Sequence, residues 1–310
     1  MLNLDLESVR TFLTVAKCQS FNEAAKLIHR STATVTYRIK SLEKEFGVEL
    51  INRSTRSFKL TPEGEYLQHR LEVLFNDFMG LSSDIEQIKN NIEHSVGIAI
   101  NELLYDRFAI TKLTQYLHNK YPKTEFRFLR EVYNGVWGSL LSEDSQFAIG
   151  TPGWHPISND LQSVSMGEMS WMFVAAPTHP VSHIHKALSD DDLRGYTAIN
   201  VEDTSRHLVR RKAWLLKGQQ ELLVPDFETK IQMHTQGIGV GYLPHTIATR
   251  LLNSGQLITR TTANPRGRSP MSISWRKDAS GQIVNELKQM VAQDHPLMAP
   301  FYANIDKPSH

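Results

Sequence analysis

The sequence predicts an α/β chain with a short all-α unit at its N-terminus. Three observations point there. Apolar residues recur at helical spacing through the first fifty positions. One apolar stripe at three- and four-residue intervals then runs from Tyr66 to Ile88. From Ser95 onward, short apolar runs of strand length alternate with amphipathic helices, the pattern of a parallel sheet.

Composition narrows the classes. A chain of 310 residues with 40% apolar content suits two globular units of about 150 residues each. The 34 basic and 33 acidic side chains nearly cancel, so no global field favours nucleic acid or a membrane, and any basic surface must be local. A lone cysteine, Cys18, excludes an internal disulfide and every multi-cysteine metal site, and it fits a reducing compartment. No apolar run reaches the roughly 18 residues of a membrane span, and the first residues have neither the basic flank nor the apolar stretch of a signal peptide. The expectation is a cytoplasmic protein.

Leu6, Val9, Phe12, Leu13 and Ala16 make residues 5–17 an amphipathic helix. Ser20-Phe-Asn-Glu23 has the form of a capping box and opens a second helix through Ala24, Ala25, Leu27 and Ile28. After a short break at His29-Arg30, Ser31 or Thr32 caps a third helix through Val35, Ile39, Leu42 and Phe46, which Gly47 ends in a left-handed turn. Two short helices joined by a tight turn read as helix-turn-helix, whose second helix enters the major groove and presents its N-terminal residues to bases. The candidate DNA contacts there are Ser31, Thr32, Ala33, Thr34, Thr36, Tyr37 and Arg38. Small hydroxyl side chains allow close approach, Ala and Thr methyls suit a thymine methyl, and Arg38 has the fork that reads guanine.

Residues 48–61 alternate as a two-stranded wing, on which Arg53, Arg56 and Lys59 are candidate phosphate contacts. Between Arg30 and Leu60, seven basic residues face three acidic ones, a local balance of +4. A solvated helix face is the plainer reading of that charge; the helical pattern around it favours DNA.

Ser20 to Leu27, Ser31 to Leu50, then Arg53 and Leu60-Thr61-Pro-Glu-Gly64 together resemble the DNA-binding domain of LysR-type transcriptional regulators. Two departures bear on base preference: Thr32 stands where the family usually has Gln, and Thr34 where it usually has Ala. Ile51-Asn52 replaces a usual Phe and acidic residue in the wing. The resemblance places a winged helix-turn-helix at 1–61 and a linker helix at 62–92, through which such regulators dimerise. The apolar stripe by itself leaves packing on its own domain open as well.

Beyond the linker, strands are expected at 96–100, 124–129, 147–149, 171–176, 197–201, 222–225 and 271–275. Helices are expected at 107–120, 135–141, 227–236 and 282–293. This region, 93–310, resembles the effector domain of the same family, two α/β subdomains related to periplasmic binding proteins. The resemblance divides it into 93–166 with 269–300 and 167–268, with crossings near 164–170 and 266–272. Asn101 to Tyr105, Tyr133 to Trp137, Glu202-Asp203-Thr204, Val224 to Lys230 and Ser274 to Lys277 are similar to a purine- and allantoin-linked subgroup of the family.

Ligands of open α/β sheets bind at the carboxyl ends of strands. The loops there nominate Asn101, Tyr105, Glu131, Tyr133, Gly150, Thr151, Glu202, Asp203, Thr204, Phe227, Glu228 and Thr229 as effector contacts. Amides, hydroxyls and helix N-termini suit a polar, amide-rich or anionic metabolite. Strand-end loops are polar in every α/β protein, so each residue also has a purely structural reading. Trp137 reads as core.

Gly237-Ile-Gly239-Val-Gly241 lacks the full dinucleotide spacing and precedes Tyr242 instead of a helix, so it reads as close packing at a turn into a strand. His183-Ile-His185 has no completing ligand pattern, and no nucleophile-elbow, zincin or P-loop spacing occurs. Neither an enzymatic activity nor a cofactor or metal is expected. Arg206, Arg210, Arg211 and Lys212 read as an exposed helix. The expected function is a ligand-responsive regulator, an activator in the resembled subgroup, acting on double-stranded promoter DNA as a homodimer or homotetramer with RNA polymerase as a partner. A repressor built from the same parts, and a cleft protein or enzyme using the N-terminal helices only to dimerise, are the alternatives. The basic balance between Arg30 and Leu60 argues against the latter.

Overall fold

The computed structural model describes residues 4–52 and 58–306. The chain forms two compact units, 1–89 and 90–310.

In the first unit, α1 (Leu6–Cys18), α2 (Phe21–Leu27) and α3 (Thr32–Phe46) are followed by α4 (Pro62–Lys89). Asp5 caps α1 by accepting from the Ser8 amide at 2.8 Å, and the Ser31 hydroxyl caps α3 by accepting from the Thr34 amide at 3.1 Å. Gly47 ends α3 at φ 70°, the left-handed conformation that glycine adopts without steric cost. The capping box at Ser20 is only half formed. Its hydroxyl accepts from the Glu23 amide, but the Glu23 carboxylate pairs with Lys26 at 2.9 Å instead of reaching back.

Phe12, Val15, Ala24, Val35, Ile39 and Leu42 meet in one core, closed by Leu50, Ile51 and Leu71. The wing is tied at its base, where Ile51 pairs antiparallel with Leu60 and the Asn52 amide donates to the Lys59 carbonyl at 2.8 Å. A Cβ on Gly64 would run into the Leu50 carbonyl, so glycine lets α4 start hard against the wing.

The second unit is built on a five-stranded sheet of β1 (Ser95–Asn101), β2 (Glu125–Glu131), β3 (Phe147–Pro152), β4 (Leu161–Met169) and β9 (Ser269–Arg276). Its order is β2-β1-β3-β9-β4. The first three strands are parallel, as the alternation predicts, but β9 runs antiparallel to both β3 and β4. The fully parallel sheet is therefore corrected to a mixed one. β4, a strand absent from the expected set, lies exposed at several positions and has no continuous apolar run.

α5 (Arg107–Lys120) and α10 (Gln282–Ala292) pack on this sheet through Leu113, Leu117, Ile283 and Leu287. α6 (Asn134–Leu141) brings Val136, Trp137 and Leu140 against Ala99 and Ala148, so Trp137 is core.

Between Met169 and Trp171 the chain leaves the sheet, and it returns at Ser269. The intervening residues form two short ladders. β5 (Trp171–Val174) pairs antiparallel with β8 (Gly241–Pro244), and β6 (Ala198–Val201) pairs parallel with β7 (Glu221–Val224). α7 (Asp190–Arg194), α8 (Phe227–Thr235) and α9 (His245–Asn253) flank them. Residues 206–212 form a loop, not the expected helix. No helix among the described residues is long and apolar enough to cross a membrane.

Candidate DNA interface and ligand cleft

On α3, Ala33, Tyr37, Lys40 and Lys44 are exposed at three- and four-residue intervals and share a face, with Tyr37 at 73% exposure in its middle. Ser31 and Thr34 bond each other at 2.8 Å, and Thr32 donates to Asn22 at 3.0 Å, which fixes the helix start against α2. Thr36 is half-buried.

Arg38 is placed differently from a free base reader. Its guanidinium turns back to α1, meeting Glu7 Oε2 at 2.7 Å and Thr11 Oγ1 at 3.3 Å. The hydrogen bond and charge of Arg38 hold the Glu7 carboxyl below the usual carboxylate range. Lys59 is exposed beside the wing bridge, while Arg53 and Arg56 lie outside the described residues. Lys40 and Arg30, both exposed, complete the basic surface; only their charge marked them in the sequence.

In the second unit a narrow crevice, with free room of about 10 Å³, opens at the carboxyl ends of β1, β2 and β6. Asn101, Tyr133, Trp171, Phe227 and Lys230 line it. The nominated effector residues do not all converge there. Tyr105 and Glu228 face a separate surface groove, where Arg130 lies over the Tyr105 ring at 4.7 Å and Arg107 pairs with Glu228 at 3.3 Å. Glu131 and Thr204 line a third recess, beside Gly135 and Gly138 of α6.

Several nominated groups are committed to the fold. Asn101 donates to the Gly150 carbonyl at 2.8 Å and accepts from the Leu103 amide at 3.0 Å. Gly150, at φ +86°, leaves no room for a Cβ beside Asn101 and Leu104. Thr151 is buried between β3 and β9, bonded to the Ser272 carbonyl at 3.0 Å and to Ser274 at 2.6 Å. Thr229 satisfies Asp226, the cap of α8, with both its amide and its hydroxyl. These donors hold the Asp226 carboxyl low, the Thr229 amide first. Glu202 is exposed and paired with Arg210.

The helix N-termini at the cleft are likewise occupied from within the chain. Asp203, buried, accepts from the amides of Asn134 at 3.2 Å and Gly135 at 3.1 Å at the start of α6, and from those of Ser205 at 2.8 Å and Arg211 at 2.6 Å. Glu102, paired with Arg130, accepts from the Phe227 amide at 2.7 Å at the start of α8. Thr204 accepts from the Val132 amide at 2.9 Å and donates to Glu131, whose carboxyl is pushed up by burial despite that bond.

Lys230 and Trp171, which line the cavity, and Arg266 beside them were not nominated from the sequence. Lys230 lies on the inward face of α8, buried at 3% exposure, and burial pushes its ammonium down to about 7, with Arg266 adding repulsion. Arg266 lies over the Trp171 ring at 3.5 Å, and burial pushes its guanidinium down while the nearby Tyr133 side chain acts the other way. The only local signal for Lys230 was its place three residues after Phe227, one helical turn along α8. Among the described residues no three His, Cys, Asp or Glu side chains gather as a metal site.

Comparison with known proteins agrees with this architecture. Residues 6–65 match the family described as bacterial regulatory helix-turn-helix protein, lysR family, and residues 84–295 match the LysR substrate binding domain. The HTH-type transcriptional activator AllS of Klebsiella pneumoniae is 42% identical over 261 residues, covering 84% of this chain and 97% of that one. AllS of Salmonella paratyphi A is 38% identical over 297 residues, 96% of each chain. A cysteine mutant of OxyR from Corynebacterium glutamicum has the same fold, with a TM-score of 0.59 at 17% identity over 99% of both chains.

Proposed function

The chain belongs to the LysR family of bacterial helix-turn-helix regulators, and from that premise we propose that it is a transcriptional activator switched by a small polar metabolite in the cleft of its second unit. The observation that carries the reading is the exposed face of α3, where Ala33, Tyr37 and Lys40 stand clear above a fully packed core. A helix used only for dimerisation has no need of a basic face beside a wing. Tyr37, Ala33 and the α3 start meet base edges, and Lys40, Lys59, Arg53 and Arg56 meet phosphates. The exposed stripe of α4 pairs with the same helix of a second copy, so that two recognition helices read a two-fold related site. The metabolite belongs to purine or allantoin nitrogen catabolism, the chemistry of the subgroup the sequence resembles. It acts by the difference in its affinity for two states of the assembly, and the promoter-bound form engages RNA polymerase in the cytoplasm.

The test is fluorescence anisotropy of the purified protein on the DNA upstream of its own gene, against a scrambled duplex and across a salt series. Tight, sequence-dependent binding with a steep salt slope supports the reading, and genome-wide DNA capture extends it to operators elsewhere. Absence of any preferred site in both measurements overturns it.

A further inference from the structure

Around the cavity, most of the polar groups are matched. Asn101 is bonded at both ends, Glu102 is paired with Arg130, and the amides at the starts of α6 and α8 are taken by Asp203 and Glu102. Lys230 lines the same cavity at 3% exposure, and among the described residues no side-chain or backbone oxygen accepts from its Nζ. Its nearest charge effect is repulsion from Arg266, which lies against Trp171 on the same wall. The carboxylate that lines the cavity, Glu102, is already bonded to Arg130 and the Phe227 amide, and a buried ammonium repelled by a guanidinium is expensive, because a buried charge is stabilised only by a counter-charge and hydrogen bonds.

We propose that this crevice widens to take a small carboxylate, its negative charge seated on Nζ of Lys230 in the field of Arg266 and the rest of the molecule against Trp171, Tyr133 and Phe227. This rests on the reading of the cleft as the metabolite site. A phosphate is a poorer occupant, because its additional oxygens need backbone donors that Asp203 and Glu102 already hold. The carboxylate also restores the ammonium, which burial and the repulsion of Arg266 bring to about 7. Binding above that pH therefore takes up a proton.

The experiment uses the full chain with acid and amide twins: oxamate against oxamide, and ureidoacetate against its amide. Thermal shift and titration calorimetry are read on the native protein, Lys230→Met and Lys230→Arg. The acids are expected to bind the native chain and the amides not. Lys230→Met should raise the melting temperature without ligand and weaken the acids roughly thirtyfold or more, with Lys230→Arg recovering part of the affinity. Calorimetry in two buffers of different ionisation heat at pH 8 should show proton uptake. Amides binding as well as acids, or acids binding Lys230→Met with native affinity, overturn the carboxylate and leave the cleft as a ligand site. If neither acid nor amide binds the native chain, the carboxylate and the cleft reading both fall.

Discussion

Arg38 ties α3 to α1 through Glu7 and Thr11, and it thereby sets how the recognition helix stands on its own domain. A double-mutant cycle of Arg38→Ala with Glu7→Gln should show a coupling that fades at high salt, measured by thermal unfolding of the first unit. Because Arg38 holds the Glu7 carboxyl low, the stability this pair contributes is present above the ordinary carboxylate range and is lost as pH falls through the depressed value. Lys40, exposed on the open face, is a different kind of residue. Lys40→Ala should weaken binding to every DNA sequence and reduce the salt slope by about 0.9, the share of one phosphate contact. An unchanged slope would take α3's basic face out of the interface. Lys230 links to pH with its own sign. Folded at about 7 and normally near 10.5, it destabilises the native state most at and below neutrality. The stability gained by Lys230→Met should accordingly shrink as pH rises from 7 towards 10, followed by denaturant midpoints.

At the scale of elements, the loop after β6 is docked onto the start of α6 and the end of β2. Asp203 gathers four backbone amides and Thr204 bridges Val132 and Glu131, so a loop from the short ladders holds a helix of the main sheet. Asp203→Ala leaves those amides without an acceptor and should cost about 3 kcal/mol in urea unfolding. Gly135 is part of the same joint, because a Cβ there would run into Thr204 Oγ1 and Glu131 Oε2. Gly135→Ala should destabilise by about 1 to 3 kcal/mol through overpacking, and trimming the neighbour in Gly135→Ala/Thr204→Ala should recover part of it. Stability unchanged by Gly135→Ala would mean that the loop yields freely.

Over the whole molecule, α4 leaves Val73, Leu74, Phe78, Met79, Leu81, Ile85 and Ile88 exposed, a stripe larger than a lone soluble helix ordinarily shows to water. Phe78→Glu combined with Ile85→Glu should shift the sedimenting species from dimer to monomer and weaken operator binding with little effect on the melting of the second unit. A monomeric native chain would dismiss the stripe as the pairing face. Much of this architecture was legible in local pattern. The caps at Ser31 and Gly47, the limits of α5 at Arg107 and Lys120, and the parallel trio of strands follow from helical and strand periods and from turn chemistry, which neighbouring residues alone dictate. β9 itself was legible as a strand, but its antiparallel pairing was not, because it joins segments about a hundred residues apart, and β4 alternates too weakly to announce itself. The site divided the same way. Residue types at strand ends marked the region of the cleft, since strand direction sets where loops gather. Which of those residues are already committed, as Asn101, Thr151 and Asp203 are, and which is left unmatched, as Lys230 is, depended on partners brought together only when the chain closes. Periodicity and local composition determine elements and their faces; burial and hydrogen-bond satisfaction are properties of the packed whole, and they alone decide what a polar side chain is free to do.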